Sequence, residues 1–195
     1  LVVLNHAERD DAQRRWVARF FEQQVRPLLV PVGLDPSHPF PQVANKSLNF
    51  ICRLGGRDAF GRENLIAIVK VPRALPRVIR LPEEIAGAPH GFVFLSSVLH
   101  AHVGELFSGM NVLGCYQFRA TRNSDLWVDE EEIKNLRLAL QGELPQRHFG
   151  DAVRLEVADN CSEVMTDFLL QQFGLDDDDL YRVPGIVNLV RLMSV

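Results

Sequence analysis

Arg119, Arg122, Arg147 and Arg154 all fall within the stretch from Met110 to Val157, and they are the residues of this chain best suited to chemistry. A planar guanidinium grips phosphate or carboxylate oxygens through two parallel N–H donors, so several of them near one surface predict an anion. A second reading stands beside it. Arginines on a solvated face pair with nearby acids, Arg154 with Glu156 on its own strand and Arg122 with the loop at Asp125, and such pairs only tie the structure together. No nucleophile in the chain has a paired base and an orienting acid at recognisable spacing, so no catalytic residue is assigned.

The remaining chemistry-bearing residues lack the spacing their reactions need. His100 and His102 lie two apart in a helical segment and point in different directions, which makes them a poor metal pair. Cys52, Cys115 and Cys161 are odd in number and far apart in sequence. They suggest neither a zinc site nor a disulfide framework, and fit a reducing cytosol. The run Asp176 to Asp179 lacks the alternating ligands and closing glutamate of a calcium loop. Gly55, Gly56 and Gly61 precede no Lys-Ser/Thr pair and open no helix, so they are not a phosphate-binding loop. No metal ligand is assigned.

The elements that must position the arginines follow from periodicity. Val112, Gly114, Tyr116, Phe118 and Ala120 alternate with Leu113, Cys115, Gln117 and Arg119, the pattern of a long half-buried strand. Asn123, Ser124 and Asp125 interrupt it. Asp129 then caps a helix with Glu130, Glu131 and Glu132 in its first turn and Ile133, Leu136 and Leu140 as its core stripe. After Gly142 and Pro145, Val153, Leu155 and Val157 alternate with Arg154 and Glu156 in a second strand. Arg119 and Arg154 thereby share the polar phase of two strands, with Arg122 and Arg147 near their ends.

The rest of the chain surrounds this unit. Trp16 and Phe20, with Val17, Phe21 and Val25 beside them, predict an amphipathic helix over Ala7 to Val25 that docks on the domain and ends at Pro27. Prolines at 31, 36, 39 and 41 hold an extended loop. Ser47 to Leu54 and Leu65 to Val71 read as strands of a hairpin, with Leu48, Phe50 and Cys52 opposite in phase to Asn49, Ile51 and Arg53. Leu75 to Leu81 and Gly91 to Leu95 are further extended segments. Ser96 is expected to cap a helix to about Phe107 with Leu99, Val103 and Leu106 buried. Ser162 is expected to cap one to Phe173 with Val164, Phe168 and Leu169 buried and Gly174 as its stop. Leu180 to Val183 is a last strand, and Ile186 to Met193 an apolar tail.

With 195 residues, 47% of them hydrophobic, the chain can bury a proper core, and its formal charge of −4 leaves no basic surplus for nonspecific nucleic-acid binding. No apolar run approaches the length of a membrane span. A chain that begins at Leu1 without an initiator methionine is expected to be an excised domain.

DPSHPFP and NKSLNF, after EQQVRPLLVPVGL, are followed in order by IAIVKVPRALPRVIRLP, SSVLHAHVGELFSGM, FRATRNSDLWVDEEE, RHFGDAVRLEV and LDDDDLYRVPG. In these segments, which cover nearly the whole chain, the sequence resembles the head (middle) domain of the bacterial polyphosphate kinases of the phosphohistidine type. The resemblance implies a larger ATP:polyphosphate phosphotransferase, using ATP and magnesium, in which the phosphohistidine and most nucleotide contacts belong to other domains. It further implies a homo-oligomer, with this part supplying architecture, dimer contacts and polyphosphate guidance, and no cofactor in the fragment itself. His38, Pro39 and Phe40 superficially match a His-Pro-Tyr sequence of the catalytic part. Their flanking residues match the head domain instead, so no catalytic role is carried onto them.

The expected fold is α+β: a mixed, largely antiparallel sheet with packed helices, preceded by an amphipathic docking helix. Residues 1–27 are expected to lead in from a preceding N-terminal domain and residues 28–195 to form the head domain. The expected location is cytoplasmic, with peripheral inner-membrane association for the full-length protein. A stand-alone, non-catalytic anion- or partner-binding module is the competing reading.

Overall fold

The computed structural model of the protein describes residues 2–34, 39–57, 61, 66–123 and 150–187. Among them lie β1 (Val2–Val3), α1 (Asp11–Phe20), β2 (Val30–Gly33), β3 (Asn49–Gly56), β4 (Ile66–Lys70), β5 (Val78–Arg80), α2 (Glu83–Ala86), β6 (Gly91–Phe94) and α3 (Leu95–His102). They are followed by β7 (Met110–Arg122), β8 (Ala152–Ala158), α4 (Glu163–Phe173) and β9 (Leu180–Val183). The helix expected from Asp129, the candidate Arg147, the His38 triplet's first residue and the tail beyond Val187 lie outside the described residues.

Six of these strands form one sheet in the order β2-β4-β3-β7-β8-β9. All its neighbours are antiparallel except β8 and β9, which run parallel. The fold is therefore α+β with a mixed, largely antiparallel sheet. A second sheet, β1-β6-β5, accompanies it. Its β1 and β5 have two and three residues, too few for alternation to be visible in sequence.

The large sheet is covered on both faces, and β3 shows how. Phe50, Cys52 and Leu54 enter one core with Val17 and Phe21 from the first helical segment and Leu95 and Leu99 from α3. Ile51 points the other way, into a second core with Ile68, Phe118, Leu155, Val157, Met165 and Leu169. Successive side chains alternate across a strand, so an apolar run such as NFIC serves both layers. Asn49, in the same phase as Ile51, is also buried, with its Nδ2 donating to the Ser47 carbonyl at 3.0 Å and to Ser47 Oγ at 3.1 Å.

Three local expectations shift. In the first helix the buried residues are Gln13, Val17, Phe21 and Val25, whereas Trp16 and Phe20 stack on each other at 5.3 Å, half-buried beside the core. A capping box starts α1: Gln13 N–H donates to Asp10 Oδ1 at 2.8 Å and Asp10 N–H to Gln13 Oε1 at 3.0 Å. One wide π turn over Phe21–Val25 then offsets the angular drift of an i, i+4 row, keeping Phe21 and Val25 above the same core as Val17.

Ser96 is not the N-cap of α3, because β6 runs straight into the helix and leaves no linker for a polar cap. The Leu95 N–H donates instead to the Arg77 carbonyl at 2.9 Å, and Ser96 is buried within the first turn. Beyond His102 the helix tightens to a 3-10 turn, Val103–Leu106. In α4 the dry face is Met165, Thr166, Leu169 and Leu170, while Val164 is 66% exposed. Gly174 ends that helix at φ 65°, a left-handed position where a Cβ would strain the backbone.

Candidate functional site

The β7–β8 ladder sets Arg119 opposite Glu156 and Thr121 opposite Arg154, so Arg119, Arg154 and Glu156 share one face. Glu156 is 6% exposed and joins the two arginines: Arg119 Nε donates to Glu156 Oε2, and Arg154 Nη2 to Glu156 Oε1 at 3.2 Å. The Arg154 guanidinium also lies 3.6 Å above the centroid of Tyr181, the residue opposite Glu156 on β9. A nearly buried carboxylate between two guanidiniums satisfies its own desolvation through charge-assisted bonds.

Arg122 sits apart from this pair. The ladder is irregular between Thr121 and Arg122, and the side chain lies over Phe173 of the second core at 5.6 Å. Its Nε donates to the Val43 carbonyl at 3.1 Å and its Nη1 to the Gly150 carbonyl at 3.0 Å, while its backbone N–H donates to Asn45 Oδ1 at 2.9 Å. Burial pulls the guanidinium below the ordinary arginine pKa, and Asp151 opposes that shift. Arg122 thus ties the end of β7 to the loop before β3. With Arg147 outside the described residues, the structure brings together two of the four arginines singled out in the sequence.

Arg119 has a second neighbourhood that periodicity did not reveal. It lines a cleft together with Lys46, Arg73 and Arg77, the hydroxyl residues Ser47 and Ser96, and apolar walls that include Phe94 and Val187. Among the described residues of its lining none is acidic. Five segments distant in sequence meet there: the loop before β3, the segment from β4 into β5, the β6–α3 junction, β7 and the stretch after β9. The sequence signals are faint. Arg73 and Arg77 flank the proline-bounded segment PRALPR, and Lys46 sits in a short polar turn, with nothing to show that the two segments meet.

The turn carrying Lys46 is built from several directions. Lys46 N–H donates to the Ala120 carbonyl at 2.8 Å, and Ser47 N–H and Oγ donate to the Ala44 carbonyl at 3.1 and 2.7 Å. Arg73 Nη2 donates to the Asn45 carbonyl at 2.7 Å. These bonds hold Lys46 at φ 55°, the one non-glycine residue at positive φ among the described residues.

The histidines and cysteines are engaged elsewhere. His102 stacks on Phe21 at 4.9 Å, and its Nδ1 lies 2.7 Å from Glu105 Oε1. Cys52 and Cys115 face each other across β3 and β7 with their sulfurs 3.5 Å apart. The hydrogen bond between them and burial push the Cys52 thiol well above the usual range, which keeps it protonated and unreactive. No group of three or more His, Cys, Asp and Glu residues among the described residues is arranged to hold a metal ion. None of the described helices is long and apolar enough to cross a membrane.

Fold and surface together define an α+β module with a basic cleft, and comparison with known proteins places it more narrowly. The family model described as "Polyphosphate kinase middle domain" matches residues 12–195. A polyphosphate kinase of Neisseria gonorrhoeae is 61% identical over 183 residues, covering 94% of this chain and 27% of the relative. One of Pseudomonas aeruginosa is 57% identical over 182 residues, covering 93% and 26%. The crystal structure of a polyphosphate kinase from Porphyromonas gingivalis superposes over 100% of this chain and 27% of that one, with a TM-score of 0.76 and 20% identity, a likeness of fold. The chain belongs to the polyphosphate kinase middle-domain family. It spans about a quarter of the length of these relatives.

Proposed function

We propose that this chain is the head domain of an ATP:polyphosphate phosphotransferase, supplying scaffold, dimer contacts and polyphosphate guidance while other domains supply the phosphohistidine. The observation that carries this reading is the family match over residues 12–195 in relatives nearly four times as long. ATP, magnesium and polyphosphate are then ligands of the larger protein, which acts as a homo-oligomer in the cytoplasm with peripheral contact to the inner membrane. Residues 1–27 lead in from a preceding domain and residues 28–195 form the head.

Polyphosphate guidance involves Arg119, Arg122, Arg147 and Arg154 in graded fashion. Arg119 opens onto the basic cleft and Arg154 is 42% exposed at its side chain, so both can meet an anion in competition with Glu156. Arg122 contributes chiefly by bracing the loop beside them. The competing reading, a stand-alone anion-binding module, is favoured by the same cleft and is separated from the first by reading the gene beyond Val195.

The activity test is direct. Incubated with ATP, magnesium and polyphosphate, this chain is expected to give no chain growth and no acid-labile phosphoprotein, while the larger protein gives both. Polyphosphate growth by the isolated chain would overturn the assignment of chemistry to other domains.

A further inference from the structure

We infer that Arg9, where the turn before α1 meets the first turn of α3, is the centre of a binding site for a small carboxylate anion, with the Arg9 guanidinium and the Ser97 hydroxyl as its donors.

Unpaired donors provide the first argument. Arg9 is 2% exposed, the most deeply buried charged side chain among the described residues. Its Nη2 donates to Oγ of Ser97, the third residue of α3. Its Nε and Nη1 are sealed from solvent with no acceptor among the described residues, which leaves three N–H donors unused. Buried polar groups in folded proteins are paired, so these call for a partner.

Charge decides what that partner is. A water molecule would occupy the donors but leave the positive charge in place, and a buried charge without a counter-ion is strongly destabilising. The acids on either side of Arg9 are engaged: Glu8 accepts the Asn5 N–H at 2.7 Å and Asp10 the Gln13 N–H at 2.8 Å. Glu105 lies 2.7 Å from His102 Nδ1. Burial, then Arg14, pulls the Arg9 pKa below the ordinary arginine value. Neighbouring His6 is likewise held below the ordinary histidine pKa, by partial burial and then by Arg9, Arg14, His102 and His100. Positive groups thus converge from the turn His6–Glu8, from α1 and from α3. α3 also begins without a side-chain cap, and its N-terminal dipole adds potential of the same sign beside Ser97.

Shielding and donor geometry select the kind of anion. A guanidinium beside a hydroxyl offers closely spaced donors that fit the two coplanar oxygens of a carboxylate. The Ser97 hydroxyl, which accepts from Arg9, still has its own proton to donate. A polyanion would bring more charge into this shielded place than one guanidinium offsets, and its other groups would lose water without partners. A cation is repelled. The site shares no residue with the basic cleft, and the head-domain reading does not require it.

Heteronuclear NMR of the Arg9 Nε–H, assigned through bonds from its own backbone amide, tests the site. Sodium formate replaces sodium chloride at constant ionic strength and pH. A saturable shift at Arg9 is expected, while the Nε–H groups of Arg15 and Arg19, exposed on α1, stay in place. The thermal midpoint of the same samples should rise with formate by mass action. Arg9→Gln should weaken that response roughly tenfold or more, because donors to a charged acceptor are lost. Arg19→Gln removes the same charge and should leave it unchanged.

If Arg9→Gln does not fold, the resonance of the parent chain still decides. An Arg9 Nε–H that formate does not move has water as its partner, which overturns the site. Equal shifts at Arg9, Arg15 and Arg19 would overturn it too, by making the effect one of bulk salt. Tripolyphosphate saturating the Arg9 shift at a lower concentration than formate would replace the carboxylate by a polyanion and overturn the assignment of ligand class.

Discussion

The two basic regions of the protein hold their cationic side chains by different means. On the β7–β8 face, Arg119 and Arg154 meet a carboxylate that the chain itself provides, and Glu156 is 6% exposed between them. In the adjoining cleft, Lys46, Arg73 and Arg77 come together with no acid among the described lining residues. Arg119 belongs to both. The contrast teaches that an arginine's role depends on what holds it: Glu156 makes Arg119 a charged brace, whereas Arg73 and Arg77 donate to the Asn45 and Val71 carbonyls. Counting basic residues along a strand does not distinguish the two.

The largest effect that would break this comparison comes from removing the shared carboxylate. Glu156→Ala is expected to cost about 3–5 kcal/mol, as for other ion pairs broken in the interior, because it leaves Arg119 without a partner. Urea denaturation measures it, and a loss below about 1 kcal/mol would make the Arg119–Glu156 bond no more than a surface pair. In the surviving fraction, binding of tripolyphosphate should tighten, since an internal competitor for Arg119 has gone.

Arg122→Ala sharpens the contrast from the bracing side. Losing charged donors to the Val43 and Gly150 carbonyls is expected to cost about 2 kcal/mol, discounted for partial exposure. Tripolyphosphate titration of the folded variant should change little. Weakening by tenfold or more would move Arg122 from brace to ligand.

The smallest effect is expected at Lys46. Lys46→Gly relieves a left-handed backbone but adds freedom to the unfolded chain, so stability should stay within about 1 kcal/mol of the parent and fall on the stabilising side. Anion binding should nevertheless drop. A variant that is clearly destabilised and binds as before would make Lys46 a structural residue, and the two regions would no longer differ.

Several features were determined by the sequence on its own, because their causes are local. The alternation from Cys115 to Ala120 specifies most of β7, although a register shift opposite Arg53 and Leu54 turns Val112 toward the other core; the Asp10–Gln13 pair starts α1, and Gly174 stops α4 through its tolerance of positive φ. Local pattern also puts Arg119, Arg154 and Glu156 on one polar phase, which the ladder preserves.

Other features depend on contacts between distant segments, and no window of sequence contains them. α3 starts where it does because the Arg77 carbonyl accepts the Leu95 N–H. Ile51 is dry because α4 closes the second face of the sheet, and Trp16 is only half-buried because a π turn directs Phe21 and Val25 inward instead. The cleft is the extreme case. Its charges come from the loop before β3, the segment into β5 and strand β7, and like charges in separate segments leave no periodic trace; only the tertiary structure, by packing a small sheet against a large one, decides that they meet.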